Sequence, residues 1–363
     1  MEKKKLCLVI PSLQAGGMER VMSELAGYFA SREELEVHLI LYGISREIFY
    51  EIPDNILISI PGFKFHNKWR LWYTIKTIYF LRVTIKNIRP DSILSFGEYW
   101  NSFVLLAVRF LNYPVFISDR CSPVKEFGLF HGLLRKFLYT KASGIIAQTE
   151  TAKQFYSRQI AHHNITVISN PVRNNTSYRS FKERENIILS VGRLIETKHY
   201  DRLIKIFHKT KAPGWKLVII GSNALKQDNM TKLLSLVNEL ELKSCVVIEG
   251  KKSNVFDYYN KSKIFAFTSS SEGFPNVIGE ALAAGVPAIS YNCIAGPSDL
   301  ISDGINGFLV PVFNDELFLE KLQLLVDDET LLTQMSKEAR NSVTKLSTAN
   351  IGDKYYSFIT SKS

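Results

Sequence analysis

The sequence predicts an α/β protein made of two doubly wound sheets of mostly parallel strands. Three observations lead there. The chain has 363 residues, more than the roughly 250–300 that one hydrophobic core accommodates. Short, solidly apolar runs recur along it, separated by stretches with apolar residues every three or four positions. Such runs are the signature of strands buried on both faces, and such spacing is that of amphipathic helices. Finally, the alternation breaks once, in the polar, turn-rich stretch 170–184, and then restarts. The expected domains are therefore 1–172 and 185–346, with an apolar-striped tail, about 347–363, packing back as a helix.

Taken in order, residues 6–10 form the first expected strand and Pro11 begins a turn-rich loop ending in Gly16-Gly17. Val21, Met22, Leu25 and Phe29 then space as a helix. Glycine at 16 and 17 would let backbone N–H groups approach a ligand, and it suits a simple tight turn equally well. Strands are expected at 37–42, 56–60, 93–96, 115–118, 145–148 and 167–168. Asp119-Arg120 follows one of them and is expected to project from its carboxyl end. In the second half, strands are expected at 187–191, 217–220, 246–248, 264–268, 288–291 and 308–310. Gly192-Arg193 with Lys198, Gly250-Lys251-Lys252 and the stretch from Ser269 to Pro275 follow three of them. Pro275 suits the first turn of a helix, where a missing N–H costs nothing. Helices are expected at 200–207, 230–240, 255–259, 316–326 and 331–343, and Asp327-Asp328 reads as a cap between the last two.

The composition is that of an ordinary globular protein, with 46% hydrophobic and 22% charged residues. Lys+Arg number 45 against 35 Asp+Glu, a net charge of +10, which argues for an anionic partner. The segment 64–89 concentrates this charge. It carries Lys64, Lys68, Arg70, Lys76, Arg82, Lys86 and Arg89 with no acid, interleaved with Phe65, Trp69, Trp72, Tyr73, Tyr79 and Phe80. A basic helix with exposed aromatics suits an anionic membrane surface; with the aromatics turned inward it is only a solvated charged face. Nucleic acid is not expected, because no binding module accompanies the charge. Cys7, Cys121, Cys245 and Cys293 show no metal or disulfide spacing. No stretch approaches the ~18 apolar residues of a membrane span, and the apolar run after Met1 is too short for a signal peptide. The expectation is a cytosolic protein.

Parallel strands collect ligands at their carboxyl ends, and two such domains would face one another across a cleft. Arg193 and Lys198 after one strand, opposite a helix N-terminus after another, can clamp a diphosphate. Carboxylates Glu272 and Glu280 can accept hydrogen bonds from vicinal hydroxyls. Cations for phosphate and acids for hydroxyls together describe a nucleotide-sugar. Each residue alone has a plainer reading: Arg193 and Lys198 as surface charges, Glu272 as a helix-dipole partner, Glu280 as a surface residue.

The motifs resemble those of the family-four retaining glycosyltransferases, whose fold is the two-Rossmann-domain GT-B fold. Glu272-Gly-Phe-Pro-Asn-Val-Ile-Gly-Glu280 fits that family's E-x7-E motif. Gly16-Gly17-Met18-Glu19-Arg20, Val191-Gly192-Arg193-Leu194 with Lys198, and Cys293-Ile-Ala-Gly-Pro-Ser298 support it. The likeness extends over nearly the whole chain and is greatest to the subgroup building bacterial exopolysaccharide, capsule and O-antigen. It implies an acceptor-binding first domain and a donor-binding second domain. It implies that Arg193 and Lys198 hold the donor diphosphate, that Glu272 holds hydroxyls of the sugar, and that Glu280 holds those of the ribose. The amides of Phe274, Asn276 and Val277 would meet sugar and phosphate, Gly16 and Gly17 would close over the donor, and Gly250 and Lys252 would lie at a uracil base. Asp119 stands where relatives carry an acid followed by His; Arg120 departs from that pattern and leaves the acceptor's helper open. The implied reaction moves galactose, N-acetylgalactosamine, glucose or N-acetylglucosamine from a UDP-sugar to a lipid-linked saccharide, with retention and no protein nucleophile. No cofactor or metal is expected, and no DxD motif occurs. The expected place of action is the inner face of the plasma membrane. The alternatives are a non-catalytic nucleotide-sugar-binding subunit, or an epimerase or phosphorylase on the same fold.

Overall fold

The computed structural model describes residues 3–44, 47–173, 179–224, 227–252 and 254–361. Residues 174–178, within the expected boundary stretch, lie outside the described residues. The chain divides into two compact units, 1–171 with 348–363, and 172–347.

Unit 1 contains strands β1 (Lys4–Ile10), β2 (Leu35–Leu41), β3 (Leu57–Ser59), β4 (Ser92–Phe96), β5 (Val115–Ser118), β6 (Gly144–Ala147) and β7 (Ile165–Val167). Every pairing is parallel and the order is β3-β2-β1-β4-β5-β6-β7. Helices α1 (Gly17–Ala30), α2 (Arg70–Ile88), α3 (Trp100–Ala107), α4 (Leu129–Tyr139) and α5 (Glu150–Gln159) connect them. Strands β1, β4 and β5 are buried almost throughout, because helices cover both faces of a parallel sheet.

Unit 2 repeats the plan. Strands β8 (Ile187–Val191), β9 (Lys216–Ile220), β10 (Val246–Glu249), β11 (Ile264–Phe267), β12 (Ala288–Tyr291) and β13 (Gly307–Val310) run parallel in the order β10-β9-β8-β11-β12-β13. Between them run α6 (Tyr200–Lys209), α7 (Asn229–Glu239), α8 (Phe256–Lys261), α9 (Asn276–Ala283) and α10 (Pro297–Leu300). After β13 come α11 (Asp315–Asp327) and α12 (Glu329–Ser342). Side chains alternate between two cores: Ile188, Ile219, Ala266 and Ile289 fill one, while Leu189, Val218, Phe265 and Ala288 fill the other. That is the period of two expected of strands. Asp328 caps α12, its carboxylate accepting from the Leu331 amide at 2.8 Å. The stretch after the boundary belongs to unit 2: Phe181 is in its core, and Arg184 donates to the carbonyls of Ser262, Ala284 and Gly285.

The tail forms α13 (Thr348–Thr360), which buries Ile351, Tyr355 and Ile359 in unit 1. Its contact with α1 is backbone-close. A Cβ on Gly352 would lie 2.4 Å from the Tyr28 ring, so only glycine fits there.

Candidate active site

In both sheets the strand order reverses beside the first strand, between β1 and β4 and between β8 and β11. Ligands of doubly wound folds bind at the carboxyl ends of strands flanking such a reversal. In unit 2 this point gathers the 192–199 loop after β8 and the 268–275 loop after β11. The two are stitched together. Thr268 Oγ1 donates to the Lys198 carbonyl at 2.8 Å, and the Ser270 amide donates to the Thr197 carbonyl at 2.9 Å. His199 and Ser270 share a 2.8 Å hydrogen bond between Nε2 and Oγ. His199 itself sits in the left-handed region, with φ 48° and ψ 44°, as α6 begins. Burial pulls its imidazole below the ordinary value of 6.5.

That stitching places Lys198 Nζ 2.5 Å from Glu272 Oε1, with each side chain only 14% exposed. The same ammonium lies 4.5 Å from the centre of the Phe267 ring. Arg193 is exposed on the same loop and carries no ion pair among the described residues. Helix α9 begins beside them. Pro275 is its N-cap and Asn276 its first residue, so the proline precedes the first turn in which it was expected. The Asn276 amide is already taken, donating to the Phe274 carbonyl at 3.0 Å; this corrects the expectation that it faces a ligand. The Val277 amide is one of the donors that a first helical turn leaves over. Glu280 is half-buried and accepts from the hydroxyl of fully buried Tyr259 at 3.1 Å, which sets it apart from an ordinary surface glutamate. Behind the site, Gly296 has φ 102°, and a Cβ there would lie 2.2 Å from Pro275 Cδ. The loop after β12 thus braces the N-cap of α9. Two cations, the Val277 amide and two carboxylates at one sheet end can hold a diphosphate and a polyhydroxyl group.

Gly250 and Lys252 are placed apart from this group. They follow β10, the edge strand, with β9 between it and β8. Both are exposed, and Lys252 pairs with Glu249 at 2.5 Å.

In unit 1, Gly16 is the N-cap of α1, held by the Tyr50 hydroxyl, which accepts from its amide at 3.0 Å and donates to its carbonyl at 2.9 Å. Gly17 is exposed at the helix start. Asp119 does not project freely, contrary to expectation: it is 2% exposed. Its carboxylate is held by Arg135, by the Tyr139 hydroxyl at 2.6 Å and by the Asn101 amide at 3.0 Å. A buried carboxylate is stable only when neutralised in this way, and Arg135 does that. Arg120 is also turned inward. It stacks 3.4 Å from the Phe96 ring centre and donates to Asn170 Oδ1 at 2.5 Å and Tyr355 Oη at 2.8 Å. Sequence reasoning missed these partners, and it missed Thr268, Ser270, His199 and Tyr259 in unit 2. The polar run Thr268-Ser-Ser-Ser271 was the one available signal.

Two all-parallel, doubly wound units, each with a glycine-containing loop after its first strand, define a GT-B-fold protein. The chain belongs to the glycosyltransferases: residues 15–175 match the family described as Glycosyltransferase Family 4, and residues 173–342 match Glycosyl transferases group 1. Two relatives match over nearly their full lengths. The amylovoran biosynthesis glycosyltransferase AmsD of Erwinia amylovora is 28% identical, over 92% of this chain and 93% of the relative. A Campylobacter jejuni N-acetylgalactosamine-N,N'-diacetylbacillosaminyl-diphospho-undecaprenol 4-alpha-N-acetylgalactosaminyltransferase is 29% identical, over 93% and 94%. Among solved structures, Anabaena HepE in complex with UDP superposes with a TM-score of 0.81 at 16% identity, over 99% of this chain and 100% of that one. At that identity the likeness is one of fold.

Proposed function

We propose that this protein transfers a sugar, with retention and without a metal, from a UDP-sugar to a hydroxyl of a lipid-linked saccharide in bacterial surface polysaccharide synthesis. The observation that carries the reading is the Lys198–Glu272 pair at the strand-order reversal of unit 2, beside Arg193 and the N-terminus of α9. Named relatives support the donor and acceptor classes: HepE was crystallised with UDP, and the Campylobacter enzyme's name specifies an undecaprenol-linked diphospho-saccharide. The candidate sugars are galactose, N-acetylgalactosamine, glucose and N-acetylglucosamine.

Transfer breaks the bond between the anomeric carbon and the diphosphate oxygen and forms one to the acceptor oxygen. The charge that develops on the leaving diphosphate is met by Arg193, Lys198 and the Val277 amide at the start of α9. Two cations there supply what a divalent ion would otherwise supply, so transfer should persist in EDTA. Glu272 is released from Lys198 as the diphosphate takes the ammonium, and its carboxylate then accepts from sugar hydroxyls. Glu280 accepts from the ribose. The departing phosphate oxygen takes the acceptor proton on the same face, which needs no protein nucleophile. Asp119, held by Arg135 and Tyr139, organises the acceptor side without acting as a free base.

Unit 1 takes the acceptor. Helix α2 exposes Trp72 and Tyr79, and Trp69 just before it, and Lys76 Nζ lies 5.7 Å from the Trp72 ring centre. Tyr73 and Phe80 are half-buried, so the aromatic face is only partly outward. This arrangement suits an anionic membrane surface, which supports a reading in which the protein works at the inner leaflet. No helix among the described residues is long and apolar enough to cross a membrane.

The test is product stereochemistry. The enzyme is given α-linked UDP-sugars and a lipid-linked acceptor, and the new anomeric proton is read by NMR with and without EDTA. An α-glycoside in both conditions is expected; a β-glycoside, or loss of product in EDTA, overturns the mechanism.

A further inference from the structure

Unit 1 carries a second cluster at the carboxyl end of its sheet, just after β4 and β5. The rings of Tyr99, Phe127 and His131 form a triangle, with centres 4.6 Å apart for Tyr99–His131, 5.2 Å for Tyr99–Phe127 and 5.4 Å for Phe127–His131. Lys125 Nζ lies 5.1 Å from the Tyr99 ring centre, is held by Glu98 at 2.9 Å, and remains exposed. Tyr99 is itself exposed. The chain runs from this cluster directly into α4, whose first two residues are bare apolar side chains: Leu129 is 90% exposed and Phe130 81%. Leu133 and Phe137 continue the exposed stripe along the helix. Phe110, on the turn after α3, joins it through Arg109, whose guanidinium lies 4.9 Å from the Phe110 ring and 5.6 Å from the Phe137 ring.

An open apolar stripe of this size marks a binding surface. Its charge says for what. Across 99–141 the exposed cations are Arg109, Lys125, Lys136 and Lys141, and the exposed acid is Glu126. The surface therefore fits an amphiphile with an anionic head. Its geometry separates the two ends: rings and Lys125 lie at the ligand end of the sheet, and the bare stripe leads away from them. Arg109 and Lys136 lie along the stripe, and at its sheet end an aromatic platform that suits a sugar ring adjoins Lys125.

We propose that the Tyr99–Phe127–His131 platform with Lys125 holds the saccharide and diphosphate of a polyisoprenyl diphosphate-linked acceptor, and that the α4 stripe holds its apolar chain. The inference rests on the acceptor reading given above and assigns it residues. Lys125 donates to the diphosphate, the rings stack on the first sugar, and Leu129, Phe130 and Leu133 contact the isoprenoid where it enters the membrane.

The test is flotation of the full-length protein with phosphatidylcholine vesicles carrying undecaprenyl diphosphate, undecaprenol, or phosphatidylglycerol matched in charge. One charge-assisted contact corresponds to about a tenfold preference, so the diphosphate vesicles should retain the protein about tenfold better than either control. Lys125→Gln should abolish the preference and Lys125→Arg should restore it. Leu129→Ser with Phe130→Ser, both at exposed positions, should lower retention on all three vesicles. Equal retention on diphosphate and phosphatidylglycerol vesicles, or an unchanged preference in Lys125→Gln, overturns the proposal. UDP-induced thermal shift in the same samples tests the other half. A preserved shift without the diphosphate preference refutes this seat alone; a preserved preference without a shift supports the seat and refutes the donor reading.

Discussion

Breaking the Lys198–Glu272 pair from one side should destabilise unit 2, and removing both partners should recover part of the loss. The two charges are 2.5 Å apart and 14% exposed. At an effective dielectric of about 20, unit charges near 4 Å attract by about 4 kcal/mol. Desolvation and side-chain ordering offset roughly half of that in a partly buried pair, leaving a coupling of about 2 kcal/mol. Lys198→Met leaves the Glu272 carboxylate, 14% exposed, without its ion-pair partner, a cost of about 2–3 kcal/mol. For a unit this size that lowers the midpoint by roughly 4–12 °C. The double variant Lys198→Met, Glu272→Gln should be less destabilised than the sum of the singles. Trp215 is buried in the core of unit 2 and is the one tryptophan of 172–347. With Trp69, Trp72 and Trp100 changed to Phe, its fluorescence in urea reports this unit alone. A coupling energy under about 0.5 kcal/mol would refute the reasoning.

Three further outcomes are expected. Gly296→Ala forces a Cβ within 2.2 Å of Pro275 Cδ at a φ of 102°; it should cost about 2–3 kcal/mol and weaken UDP binding by shifting the start of α9, read by urea melts and calorimetry. Arg120→His loses the bonds to Asn170 and Tyr355; it should cost about 3 kcal/mol and speed amide exchange in α13, and unchanged exchange would contradict the clamp. His199 has its folded-state pKa held below 6.5 by burial. The unfolded chain therefore binds more protons in that window, and the contribution of His199 is present above pH 6.5 and lost as pH falls. His199→Asn should flatten the decline in stability as the pH falls below 6.5, measured by urea midpoints.

The fold was legible because parallel strands are buried on both faces and so read as solid apolar runs; Leu6 to Ile10 and Ile264 to Phe267 are examples. The repeated plan followed from the restart at Ile187. The site was legible where its residues are close in sequence, as with Glu272 and Glu280. It was not legible where partners lie on other elements. Nothing local to Asp119 announces that Arg135, on the following helix, neutralises it and keeps it buried. Likewise the Asn276 amide is lost to the Phe274 carbonyl because Pro275 turns the chain just before α9, a detail of turn geometry. Helix α4 could not be oriented from sequence. Leu129, Phe130, Leu133, Leu134, Phe137 and Leu138 give it apolar residues on two faces, and packing alone buries Leu138 and leaves Phe130 bare.

The most direct measurement is thermal shift and slow donor hydrolysis across a panel of UDP- and GDP-sugars, for the wild type and Glu272→Ala. The account predicts one UDP-sugar that stabilises the wild type and turns over, with turnover lost in the variant. No shift with any nucleotide-sugar would mean that the loops after β8 and β11 do not form a donor site.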